Sequence, residues 1–258
     1  MAQSDIGIVL VLPELLGTYG DAGNGEVLLR RAAWRGHRAR LIRTTHASAV
    51  PESGDVYVIG GGEDAPQALA ASEFLRSPAL CRGISAGAVL AVCAGFQILG
   101  RVFPGPDGRP VEGLGVFACE THRGTRRRIG EVVAHVTEPL SLPPLTGYEN
   151  HAGVTVLDAG ERPLARVVVG NGNDGRGGEG IINGRLIGTY LHGPVLARNP
   201  ALADLLLASV VGPLADVDDH AVERLRDQRL SAARPPWLRR AWRRRPATHD
   251  SLIRNALQ

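Results

Sequence analysis

The sequence predicts an α/β fold in which a mostly parallel central sheet is flanked by helices. Three observations predict it. The first is short apolar runs of strand length, Ile6 to Leu12 and Asp55 to Ile59, followed by Gly-containing loops. The second is the helical segments that alternate with them, over 25–35 and 64–76. The third is the near-continuous apolar character of the strands. This fits strands covered on both faces, as in parallel sheets.

Each element follows in chain order. Residues 6–12 read as a buried strand, and Tyr19-Gly20-Asp21-Ala22-Gly23-Asn24 as a loop. A helix is expected over 25–35, strands over 38–43 and 55–59, and a helix over 64–76. Residues 77–82 read as loop. The apolar strand 88–92 runs straight into Cys93-Ala94-Gly95-Phe96-Gln97. The second half reads as β-rich, with strand character at 130–136, 153–157, 164–169 and 180–190. Asn171 to Gly180 reads as a mobile Gly/Asn loop. Composition changes after Gly212-Pro213. Two units are therefore expected: 1–212 as the α/β domain and 213–258 as an Arg-rich, partly helical extension. In that extension a polar helix is expected over 217–230, followed by an arginine cluster with Trp237 and Trp242. A solvated tail is the ordinary reading of such a charge run, and docking to an acidic partner the alternative.

Composition excludes several chemistries. All 29 basic residues are Arg, so no Walker lysine and no Schiff-base lysine exists. Aromatic residues are 4% of the chain, too few for base-stacking platforms, so no nucleic-acid partner is expected. Three cysteines, Cys81, Cys93 and Cys119, with no CxxC spacing suggest free thiols in a reducing cytoplasm and no metal site. No signal peptide or membrane-spanning run is read, so a cytoplasmic location is expected.

Two residues carry chemistry by position. Cys93 lies where a strand turns sharply into a helix, with small Ala94 and Gly95 allowing the turn. The helix N-terminus faces the sulfur and favours the thiolate. His192, in Gly188-Thr189-Tyr190-Leu191-His192-Gly193-Pro194, ends a late strand. An early Cys with a late His is a common nucleophile–base order. Gly83-Ile84-Ser85-Ala86-Gly87 also matches the serine-hydrolase elbow, but no buried strand precedes Ser85, so that reading is rejected.

The run Val92 to Gln97 resembles the nucleophile segment of class I glutamine amidotransferases. Gly60-Gly61-Gly62-Glu63-Asp64 resembles their oxyanion loop, and the Tyr190 to Pro194 segment the histidine segment of their cobyric-acid-synthase-like branch. Together with Tyr19 to Asn24, Glu112 to Gly115 and Gly147-Tyr148-Glu149-Asn150-His151, they resemble the glutaminase subunits of lipid II isoglutaminyl synthases over about residues 6–210.

This resemblance implies a Rossmann-like class I amidotransferase fold and hydrolysis of L-glutamine by Cys93 and His192. Backbone N–H groups at Gly61 or Gly62 and at Ala94 would hold the oxyanion. Arg127 and Gln97 would contact substrate; Arg127 is placed by its distance to Gly130, with Arg126 and Arg128 as close alternatives. The resemblance further implies a heterodimer with a Mur-ligase-like partner. That partner would use ATP and Mg to amidate the D-glutamate α-carboxylate of lipid II near the inner face of the membrane. No cofactor is expected in this chain. The residue two after His192 is Pro194 rather than Glu. A Cys–His dyad is thus implied, its third group coming from the partner, with Glu149 as the internal candidate. Two alternatives are an amidotransferase subunit for another acceptor, such as a corrin carboxylate, and a non-catalytic binding module.

Overall fold

The computed structural model of the protein describes residues 5–46, 51 and 53–233. Two six-stranded sheets organise them. The first has five parallel strands: β1 (Ile6–Leu10), β2 (Ala39–Arg43), β3 (Val56–Ile59), β4 (Ala88–Val92) and β12 (Leu186–Thr189). One antiparallel edge strand, β11 (Ile181–Asn183), completes the order β11-β12-β4-β3-β1-β2. Every residue of β1, β3 and β4 is buried, as an apolar run covered on both faces requires. The covering helices are α1 (Gly23–Trp34), α2 (Asp64–Leu75), α3 (Pro78–Ala86), the short α4 (Ala94–Leu99) and α5 (Val195–Arg198), and α6 (Pro200–Val211).

The second sheet is built on a long antiparallel pair, β7 (Cys119–Val136) and β8 (Leu145–Leu157). Strands β5 (Val102–Pro104), β6 (Pro110–Glu112), β9 (Ala165–Val169) and β10 (Gly178–Glu179) extend it. A register shift between Arg123 and Arg128 interrupts the β7/β8 ladder. Such a bulge bends the strand and re-aims its side chains.

Three expectations are corrected. Residues 78–86 are helix α3, not loop. Ser77 caps it by accepting the Leu80 N–H at 3.3 Å, Pro78 sits at the first turn, and Leu80 and Ile84 face inward. The strands of the second half are also longer than their apolar cores, because cross-strand pairing runs through the polar residues 119–123 and resumes at Arg128 beyond the bulge. The Gly/Asn loop 171–180 is tied down. Glu149 accepts the N–H groups of Asn171 and Gly172, and Asn173 exchanges two hydrogen bonds with Gly180.

Helix α7 (His220–Ala233) opens the expected extension and packs on β7 and β8. Arg226 donates to the Pro144 carbonyl, and Leu230 is buried. Asp219, just before α7, pairs with Arg31 of α1 at 2.6 Å. The polar helix expected over 217–230 is therefore present as α7 and docked on the second sheet. The arginine cluster from Arg234 onward, with Trp237 and Trp242, lies outside the described residues. No described helix is long and apolar enough to cross a membrane.

Candidate active site

Cys93 follows β4 directly and is the N-cap of α4. Its backbone has φ 52° and ψ −104°, a conformation that costs a non-glycine residue on the order of 1–3 kcal/mol. The neighbours hold it there. Its N–H donates to the Thr189 carbonyl at 2.8 Å, and its carbonyl accepts the Gln97 N–H at 3.0 Å. Gly95 is required, because a Cβ there would lie 2.6 Å from the Ile59 carbonyl oxygen. The elbow therefore lifts the thiol to the carboxyl edge of the sheet, at the start of a helix whose amides face it.

His192 arrives from the adjacent strand, β12. An isolated bridge holds it: His192 N–H donates to Tyr148 O at 2.8 Å, and Tyr148 N–H to His192 O at 3.1 Å. Its Nδ1 faces Asp21, 3.2 Å from Oδ2 and 3.4 Å from Oδ1. Asp21 is fully buried and also accepts the Gly61 N–H at 2.9 Å. The Tyr19 ring lies against the imidazole, with centroids 4.7 Å apart. Burial pulls the His192 pKa down, but hydrogen bonding to Asp21 and the neighbouring Cys93 outweighs it and pushes the value up to about 10. This setting favours the imidazolium, the state that His192 reaches on taking the Cys93 proton. Nε2 is the ring nitrogen that Asp21 leaves for Cys93 and the reacting groups.

Within this chain the carboxylate that faces His192 is Asp21. It is not Glu149, which binds Asn171 and Gly172 and lies 3.8 Å from His151 Nε2. Asp21 is the residue that sequence reasoning missed. The signal was present: a Gly-flanked Asp just after the first strand, on the same sheet edge as Cys93 and His192.

A cleft of about 480 Å³, counted out to its open mouth, lies over Cys93. Gly62, Gln97, Arg127 and His151 stand on its wall. Gln97 is held by two side chains: its Oε1 accepts from Gln67 at 2.9 Å and its Nε2 donates to the Tyr190 hydroxyl at 3.0 Å. Gly61 cannot serve as an oxyanion donor, since its N–H is already given to Asp21. It is instead a spacer. A Cβ there would lie 2.8 Å from His192 Cε1 and 3.1 Å from Asp21 Oδ2. Gly62 lines the cleft and Ala94 opens α4.

The bulge separates the three candidate arginines. Arg127 turns into the cleft, donating to Asn150 Oδ1 at 2.6 Å and to the Tyr19 hydroxyl at 2.9 Å. Arg128 points elsewhere, toward the carbonyls of Gly153 and Asp174. Arg126 is exposed and does not line the cleft. Ser85 lies in α3 and donates to the Cys81 carbonyl, so it is no hydrolase nucleophile. Cys119 is buried, and burial pushes its thiol up to about 12. Among the described residues no group of three or more His, Cys, Asp or Glu is arranged to hold a metal.

Residues 7–200 match the CobB/CobQ-like glutamine amidotransferase domain. The chain belongs to this family. A cysteine on a strained elbow beside a carboxylate-held histidine is the site that a glutamine-hydrolysing member needs. The chain is 36% identical over 208 residues to the glutamine-hydrolysing subunit GatD of lipid II isoglutaminyl synthase from Staphylococcus aureus. That match covers 79% of this chain and 83% of the relative. The Streptococcus pneumoniae protein of the same name is 35% identical over 214 residues, covering 80% of each. A cobyric acid synthase from Sphingopyxis alaskensis is 38% identical over 144 residues, but these are 27% of its length. Among solved structures, a glutamine amidotransferase is similar with a TM-score of 0.54 at 20% identity, over 80% of this chain and all of that one. PurLQS from Thermotoga maritima is similar with a TM-score of 0.53 at 14% identity, over 81% of this chain and 98% of that one. This likeness establishes the class I amidotransferase fold.

Proposed function

We propose that this amidotransferase is the ammonia-producing subunit of a lipid II amidating enzyme. Cys93 gives its proton to His192, and the thiolate attacks the side-chain amide carbon of L-glutamine. The N–H groups of Gly62 and Ala94 take the developing oxyanion, each worth about 3 kcal/mol. The imidazolium, held by Asp21, protonates the leaving nitrogen, and ammonia departs from a Cys93 thioester. Water, deprotonated by His192, then attacks the thioester and releases glutamate. Arg127 receives the α-carboxylate of glutamine, where a guanidinium fork fits. Gln97, already anchored at two points, forms the floor of the amide subsite.

The acceptor reading rests on one observation: similarity over about four-fifths of each chain to proteins named as isoglutaminyl synthase subunits. The ammonia then goes to a Mur-ligase-like partner that activates the D-glutamate α-carboxylate with ATP and Mg. The lack of lysine agrees with nucleotide chemistry lying outside this chain. The corrin reading is weaker, since its relatives match over a small part of their length. The test is reconstitution with the Mur-ligase-like partner, ATP, Mg, glutamine and lipid II. Amidated lipid II and glutamate in equal amounts are expected. Glutamate release with no amidated lipid II would reject the acceptor while leaving the glutaminase intact.

A further inference from the structure

Glu179 is fully buried, and the chemistry above gives it no part. It sits in β10, delivered by the Gly/Asn loop, and Asn173 locks the next residue from both sides: Gly180 N–H donates to Asn173 Oδ1 at 2.7 Å, and Asn173 Nδ2 to Gly180 O at 2.8 Å. A loop held this tightly serves more than connection.

What it delivers is an acceptor. The parallel ladder of β12 ends at Thr189, which pairs with Val92, and His192 is held from outside the sheet by Tyr148. Between them, the N–H groups of Tyr190 and Leu191 have left the ladder in a buried place, where an unpaired donor is costly. Tyr190 N–H donates to Glu179 Oε1 at 2.9 Å. Leu191 N–H donates to Thr189 Oγ1 at 3.0 Å, and that hydroxyl donates its own proton to the same Glu179 Oε1 at 2.6 Å. One oxygen thus anchors both residues that separate the strand end from His192.

We infer that Glu179 is a positioning residue for His192, and that it works through a carbonyl-type oxygen rather than through a negative charge. Oε1 accepts twice, so it carries no proton. Oε2 has no hydrogen-bond partner, an arrangement far costlier for a carboxylate than for a carboxylic acid. Burial, with the charge of Glu149, also pushes the Glu179 carboxyl up to about 7, against the lowering effect of Thr189, Tyr190 and the nearby His192. An amide oxygen could do the same work, and an apolar side chain could not.

This inference rests on the Cys93–His192 reading and predicts an order among variants. Glu179→Gln keeps the acceptor and should retain most of the activity. Glu179→Leu and Thr189→Val each strip an anchor and should lower kcat by about tenfold or more, with KM little changed. Glutamine hydrolysis and the rate of Cys93 alkylation by iodoacetamide are measured on the full chain, with melting temperatures alongside. Alkylation reads the Cys93–His192 pair directly and needs no turnover. If Glu179→Leu does not fold, Thr189→Val carries the same test. Wild-type kcat and alkylation in Thr189→Val, or Glu179→Gln falling as far as Glu179→Leu, overturns the inference. Full hydrolysis by a Cys93→Ala control would instead overturn the catalytic reading itself.

Discussion

Cys93 and His192 stand on adjacent strands and are delivered in opposite ways. Cys93 is placed by its own segment: an apolar strand, a strained turn eased by Gly95, and a helix that begins at once. His192 is placed by residues far away in sequence. Asp21 holds its ring, Tyr148 its backbone, and Glu179 the two residues before it. A nucleophile can be built from a local motif because its demands are exposure, strain and a helix end. A base must match a second group in distance and orientation, so its supports come from several elements.

The largest expected effect tests the local side. Cys93→Ala or Cys93→Ser should bring glutamine hydrolysis to background. Losing the nucleophile of a comparable acyl-transfer enzyme costs about 10⁶-fold in kcat. Cys81→Ala, in α3 and away from the cleft, should be silent. Ammonia release and labelling by diazo-oxo-norleucine measure both.

The next effect tests the distant side. Asp21→Asn keeps the shape but removes the charge that faces Nδ1. By analogy with the removal of a triad carboxylate, kcat should fall by about 10³- to 10⁴-fold. The pH dependence should move with it. Asp21 helps to raise the His192 pKa to about 10, so the imidazolium persists up to that range. In Asp21→Asn the upper limb of the pH–rate profile should shift down toward the ordinary histidine range. Because the carboxylate is internal, the wild-type chain alone should hydrolyse glutamine. A chain inactive without its partner, together with an Asp21→Asn variant unchanged in the complex, would mean that the third group is external.

This contrast also explains what could be read from the sequence. The parallel sheet was legible because β1, β3 and β4 are short apolar runs. Cys93 was legible because its elbow is contiguous, and His192 because it ends a strand. Asp21 was not. Its segment was recognisable, but only the sheet order, with β1 next but one to β4, brings its carboxylate to His192. Helix α3 was passed over because its apolar stripe is short, although Ser77-Pro78 is a helix-start signal. The Gly/Asn loop read as mobile because its composition is that of a linker. The side chains that pin it, Glu149 and Asn173, act through backbone groups that composition does not reveal.

An intermediate effect is expected at the bulge. Arg127→Ala should lower kcat/KM by about ten- to a hundredfold through loss of a charge-assisted pair with substrate. Arg128→Ala should leave KM nearly intact and lower the melting temperature, since its partners are backbone carbonyls of Gly153 and Asp174. Steady-state kinetics with thermal unfolding separates the two. If the KM effect falls on Arg128 instead, the register assigned to the bulge is wrong.

The smallest catalytic effect, and an informative change in stability, is expected from Glu179→Gln. The sign follows from linkage. The ordinary value for this carboxyl is 4.5, and burial raises it to about 7 in the folded chain. Below 4.5 both folded and unfolded chains hold the proton, and the group adds no pH dependence. Between 4.5 and about 7 the unfolded chain loses its proton first, so the carboxyl progressively destabilises the fold as pH rises. Above that range the penalty is complete, at most about 3 kcal/mol. Glutamine cannot ionise and removes the slope. Urea unfolding from pH 5 to pH 8 should therefore show the variant gaining on wild type as pH rises, whatever constant offset its buried amide introduces. A difference that does not change with pH would mean that Glu179 is ionised throughout. The support beneath His192 would then be a buried charge, and the His192 imidazolium, which lowers the Glu179 carboxyl, would be its counter-charge.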